Sequence, residues 1–145
     1  MEKDDVIDSP REKVSDHIRR YLNSDGDDGY LWNGVPTLLL TTRGRKSERL
    51  RRTALIFGKN GDNYLIVASK GGAPQNPLWF ENIIAEPKVT IQVKGEVSRG
   101  HARLATPQER ASLWSIMTDI WPAYDEYQAK TTREIPLVVI EVVPS

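Results

Sequence analysis

Apolar and polar positions change their period along this chain. Near the start, Val14, Ile18, Tyr21 and Leu22 recur at helical spacing with charged residues between them. Ser9-Pro10-Arg11-Glu12, just before them, has the form of a capping box with proline at the first helical position. The pattern predicts an amphipathic helix ending before Asn23, its apolar face packed on the domain or on a partner subunit, preceded by an acidic arm over residues 1–8 that frays. From Val35 the period shortens. Short apolar runs predict strands at Leu38–Thr42, Thr53–Gly58, Asn63–Ala68, Val89–Val93, Val97–Ala105 and Leu137–Val143. Lys59-Asn60-Gly61-Asp62 is a hairpin signal, because Asn-Gly suits the positive-φ turns that match strand twist. Helices are predicted over Pro77–Ala85, stopped by Glu86-Pro87, from the capping box Thr106-Pro107-Gln108-Glu109 to about Asp119, and from Trp121-Pro122 to about Lys130. Six short strands with hairpin connections and peripheral helices describe a mainly β, α+β chain folded as a closed antiparallel barrel. Residues 1–34 form an arm and helix, and residues 35–145 the barrel domain.

Composition narrows the chemistry. The chain has 145 residues, 39% hydrophobic and 28% charged, ordinary for one globular domain. It has no cysteine and two histidines, His17 and His101, so disulfides, thiolate nucleophiles and zinc or iron–sulfur sites are not expected. No apolar run approaches the roughly 20 residues that span a bilayer, and the charged start MEKDD is unlike a signal peptide. The cytoplasm is the default address. The first helix mixes acidic and basic residues and is a poor membrane binder, so stable membrane insertion is not expected and any association would be loose. The acidic loop Asp25-Gly26-Asp27-Asp28-Gly29 lacks the length and terminal Glu of a calcium loop.

Two segments carry binding chemistry. The strand Tyr64–Ala68 runs into Ser69, Lys70, Gly71 and Gly72, then Asn76-Pro77 opens a helix, with Asn76 placed to cap it. A lysine, a glycine pair and a helix start together offer amides and positive charge to an anion. An ordinary loop with a solvated lysine fits the same residues. Upstream, Thr41–Thr53 holds six basic residues (Arg43, Arg45, Lys46, Arg49, Arg51, Arg52) against Glu48 alone, in a chain with 20 basic and 20 acidic residues. A local basic loop between two strands suits phosphates or carboxylates, although a solvated hairpin tip would look alike. Nucleic acid is a weak fit, because the net charge is zero and no aromatics interleave with the arginines.

The run LLLTTRGRKS, then SKGGAPQNPLW and ENIIAEPKV, resembles the deazaflavin-dependent nitroreductase family, over roughly Val35 to Val143. That resemblance implies the split β-barrel of FMN-binding proteins, often dimeric, with coenzyme F-420 (8-hydroxy-5-deazaflavin) as cofactor. It implies cofactor contacts from Arg45, Lys46, Ser47, Arg51, Ser69, Lys70, Gly71, Gly72, Asn76, Pro77, Trp79 and Asn82. The cations and Ser47 would meet the phosphate and glutamate tail, and the helix from Pro77 would lie over the ring. Trp121, Tyr124 and Tyr127, three residues apart and so along one helical face, would wall the acceptor pocket, or would simply pack on the barrel. Ser69 or Tyr124 would polarise the acceptor, and Tyr127 or water would supply a proton. The implied reaction is hydride transfer to a quinone, nitroaromatic or activated alkene. One departure is Glu48, where the family usually has Gly after the Lys-Ser/Thr pair. Two alternatives stay open: an FMN or tetrapyrrole ligand in the same barrel, with His101 as an axial ligand on its strand, and a non-catalytic carrier of the cofactor or a fatty acid.

Overall fold

In a computed structural model describing residues 6–144, nine strands and four helices enclose three apolar clusters. The strands are β1 (Val6–Asp8), β2 (Leu31–Trp32), β3 (Val35–Arg43), β4 (Leu50–Ile56), β5 (Gly58–Asn60), β6 (Asn63–Val67), β7 (Lys88–Val93), β8 (Glu96–Leu104) and β9 (Leu137–Val142). The helices are α1 (Glu12–Asn23), α2 (Leu78–Ala85), α3 (Pro107–Ile120) and α4 (Ala123–Ala129). Ladder order is β1-β4-β3-β7-β8-β9-β6-β5, with β2 paired to β3. All pairings are antiparallel except β1 on β4.

The barrel is split. The chain runs directly from β4 through Phe57 into β5, and β4 comes near β6 without pairing to it. The Asn-Gly hairpin forms as expected, with Asn60 opposite Asn63 and Gly61 at φ 63°. It joins β6 to the short β5, however, and not to the strand that begins at Thr53.

Alternation along the strands builds the core from both faces. Ile66, Val138 and Ile140 point into the barrel with Leu38, Leu40 and Ile91. Leu65, Val67, Leu137 and Val139 point outward, under Leu113 and Met117 of α3 and Tyr124 of α4. The continuous run Leu38-Leu39-Leu40 is buried because α1 covers the outer face, where Ile18 and Tyr21 pack on Leu39. The Tyr21 hydroxyl donates to Thr37 O (3.0 Å) and accepts from the Lys94 amide (2.7 Å), tying α1 to the barrel.

Two details depart from expectation near the start of the chain, and one further along agrees with it. Residues 6–8, expected to fray, pair in parallel with Leu50–Arg52; residues 1–5 of that arm lie outside the described residues. Ser9 continues this pairing through its amide to Arg52 O (2.9 Å), so α1 starts later, with Arg11 as N-cap and no side-chain cap. The capping box at Thr106 and Glu109 forms in full.

Candidate functional site

The basic segment is a β-hairpin tip. β3 and β4 carry Arg43 and Arg51–Arg52 on their ends, and residues 44–49 close between them through Gly44 N to Arg49 O (2.7 Å) and Glu48 N to Gly44 O (2.8 Å). The Ser47 hydroxyl accepts from the Arg49 amide (3.2 Å) and so holds the tip's shape. Arg52 is bound to Asp8 (2.6 Å) and Arg43 reaches Glu48 O (2.6 Å). Arg45, Lys46, Arg49 and Arg51 are exposed and form no ion pair among the described residues. Glu48 is also exposed and unpaired there, with its backbone in the left-handed region at φ 60°.

Helix α2 connects this tip to the glycine loop. Asn82 is buried, its amide nitrogen donating to Thr42 Oγ1 (3.1 Å) and its oxygen accepting from the Arg45 amide (3.1 Å). Both functions of that side chain are therefore spent on positioning the hairpin. Trp79 is half-buried against the barrel core and edge-on to Phe80. Pro77 is the N-cap of α2 rather than its first residue, and the helix has no side-chain cap. Asn76, expected to cap it, instead accepts from Arg133 Nη1 (2.6 Å).

Between β6 and α2 the backbone does something unusual. Ser69 is right-handed helical, and Lys70, Gly71 and Gly72 follow at φ 47°, 63° and 85°. Gly72 N bonds Ser69 O (2.9 Å) and Ala73 N bonds Lys70 O (3.1 Å). The amides of Ser69, Lys70 and Gly71 have no partner among the described residues. A right-handed residue followed by a left-handed one turns successive amides into one concavity, a geometry that receives anions. The half-exposed Ser69 hydroxyl caps nothing.

Gly72 lies hard against α4: a Cβ there would sit 2.7 Å from Tyr127 O. The aromatic wall begins at this junction. Trp121 Nε1 donates to the Tyr127 hydroxyl (3.4 Å), and Trp32 packs at a tilt against Trp121 with ring centroids 5.2 Å apart. The expected single helical face of Trp121, Tyr124 and Tyr127 does not exist. Trp121 lies at the joint between α3 and α4, because Pro122 follows it and restarts the helix. Tyr124 is only 5% exposed, packed between Trp114 and Tyr127, and burial pushes its phenol pKa up. It packs in the core, as the alternative of packing on the barrel has it.

Two residues of this region were not anticipated. Trp32 stands before Asn33-Gly34, at φ 50° and 82°, which turn β2 back into β3; this is the Asn-Gly signal already used at residues 60–61. Arg133 gave no local signal, since it sits in a loop distant in sequence from the groups it binds. His101 is exposed on β8, in register with Lys88 and Glu141.

A split barrel with its interior filled by side chains is the fold of the FMN-binding split-barrel class. Within that class the relationship is specific. The family model for F420H(2)-dependent quinone reductase matches residues 13–142, and the chain belongs to that family. An F420H(2)-dependent quinone reductase of Mycobacterium tuberculosis is 39% identical over 128 residues, covering 86% of each chain. A solved structure of an F420-H2 dependent reductase is similar at TM-score 0.68 and 38% identity, over 73% of this chain and 94% of that one. A second solved structure, described as a domain-swapped dimer, gives TM-score 0.71 at 36% identity over 92% of this chain and 100% of that one.

Proposed function

We propose that this protein is a coenzyme F-420-dependent oxidoreductase that reduces a quinone, with nitroaromatics and activated alkenes as further acceptors. The observation that carries the reading, beside family membership, is the pairing of two anion-seeking elements on either side of α2. One is the hairpin tip, with four exposed cations that form no ion pair among the described residues, and the other is the loop, with three amides that have no partner among them. This donor set fits a phosphodiester followed by a polyglutamate tail, and exceeds what the single phosphate of FMN requires. Arg45, Lys46 and Arg51 would hold the tail, and Lys70 with the amides of residues 69–71 the phosphate. Gly71, where a Cβ would meet nothing within 4 Å, leaves the approach open.

When bound, the reduced deazaflavin supplies a hydride. The chain's own residues have the other tasks. Reducing a quinone to the hydroquinone adds one hydride and one proton. Tyr127 is suited to the proton, because its oxygen accepts from Trp121 and its own hydrogen is left to donate. Ser69, whose hydroxyl is not used in capping, is suited to polarise a quinone oxygen. Trp121 and Trp32 would exclude water from the acceptor side.

The test is a fluorescence titration with the deazaflavin and, in parallel, FMN, followed by turnover with menadione. Tight deazaflavin binding, weaker FMN binding and menadione reduction are expected; preference for FMN overturns the reading. Lys46→Glu is expected to weaken deazaflavin binding at least tenfold, about 1.4 kcal/mol, without unfolding the chain. A homodimer is part of the proposal, since one related structure is described as a domain-swapped dimer; light scattering should then give roughly twice the 16.4 kDa chain mass. No helix among the described residues is long and apolar enough to cross a membrane. Loose membrane association would need a surface other than the apolar face of α1, which is buried, and vesicle co-flotation tests it.

A further inference from the structure

We propose that Arg133 is a positioning residue that sets the 69–71 backbone in its anion-receiving form, an inference that rests on the cofactor reading above. Its guanidinium touches both arms of the loop. Nε donates to Ala73 O (2.8 Å), Nη2 to Ser69 O (2.8 Å), and Nη1 to Ala68 O (3.3 Å) and Asn76 Oδ1 (2.6 Å). The rigid fork of a guanidinium can serve acceptors fixed in several directions at once, which an ammonium on a flexible stem cannot reproduce.

The consequence for the amides follows from peptide geometry. There are no cis peptides, so within each unit the carbonyl of one residue and the N–H of the next point in opposite directions. Arg133 draws the Ala68 and Ser69 carbonyls to itself, and therefore turns the amides of Ser69 and Lys70 away, toward the face where the anion would sit. Lys70 is not glycine and adopts φ 47°, a conformation that needs outside enforcement. The four acceptors of Arg133 supply it. Arg133 is itself held, since Gln128 donates to its carbonyl (2.8 Å) and accepts from the Ile135 amide (2.9 Å). The arginine thus keeps its charge behind the loop and acts through the backbone it orders, without touching the ligand.

Arg133→Lys and Arg133→Ala test this in the full chain, with thermal melts to confirm folding. The deazaflavin Kd should rise tenfold or more in both. Millimolar ethylguanidinium should restore affinity to Arg133→Ala, and ethylammonium should not. An unchanged Kd in a folded variant overturns the inference, as does equal rescue by the two cations. A second probe separates this from the cofactor reading. Inorganic phosphate should shift the amide proton resonances of Ser69, Lys70 and Gly71 in the unmodified protein and not in Arg133→Lys. Phosphate shifts of this kind without any deazaflavin binding would remove the cofactor reading and keep the positioning role. Equal shifts in both proteins would remove the positioning role.

Discussion

Residue 48 is a glutamate in a place shaped for glycine. Its φ of 60° strains an L residue by roughly 1–2 kcal/mol, and its carboxylate stands among cations. Glu48→Gly relieves that strain but adds unfolded-state freedom worth roughly 0.5–1 kcal/mol. The net expectation is a stability change between zero and about 1.5 kcal/mol in favour of Gly, with tighter deazaflavin binding. Urea denaturation and titration check the two parts; a less stable variant or weaker binding contradicts the argument. The glycine pair can be separated in the same way. Gly72→Ala meets Tyr127 O at 2.7 Å and keeps φ 85°, so a loss of about 2–3 kcal/mol is expected. Gly71→Ala meets nothing within 4 Å and should lose only about 1 kcal/mol. Similar losses at both positions would mean that the contact with α4 is not what fixes the loop.

Among the elements, α3 offers a pH-dependent test. Hydrogen bonds from the Arg103 guanidinium and then the Thr106 amide hold the Glu109 carboxyl down to about 2. A carboxylate whose pKa is lower when folded stabilises above its unfolded value of about 4.3 and loses that contribution as pH falls toward 2. The stability gap between the unmodified chain and Glu109→Gln should therefore shrink on acidification from pH 5 to 2.5, measured by urea midpoints. A gap independent of pH would remove the capping carboxylate as its source. This element was legible in the sequence because both partners of its cap lie within four residues. The same S-x-x-E pattern at Ser9 failed because Ser9 is held by Arg52, 43 positions away, a tertiary bond that local spacing does not encode. Asn76 failed likewise, its oxygen taken by Arg133. Six strands were readable from short-range alternation and turns. The helix break at Trp121-Pro122 was readable too, from the proline itself, whereas the division of the barrel at Phe57 and the four-way bonding of Arg133 depend on which distant segments meet.

For the molecule as a whole, both faces of the sheet are used: side chains fill the inside, α1 covers β3 and β4, and α3 with α4 covers β6 and β9. The loops of the candidate site hang from one continuous set of supports, namely the hairpin tip on Asn82, Asn82 on α2, and the start of α2 on Arg133. The other border of the sheet is closed differently, by the three residues of β1 laid along β4. A split barrel has open borders where a fully closed one has none, and an unpaired border strand is a template for another chain. Val6–Asp8 occupies that template, with Asp8 also neutralising Arg52. Removing residues 1–8 should leave the fold largely intact yet make the protein self-associate with rising concentration, visible by sedimentation. A short, unassuming leading segment would then serve as a guard against aggregation, keeping a sticky edge from finding a neighbour.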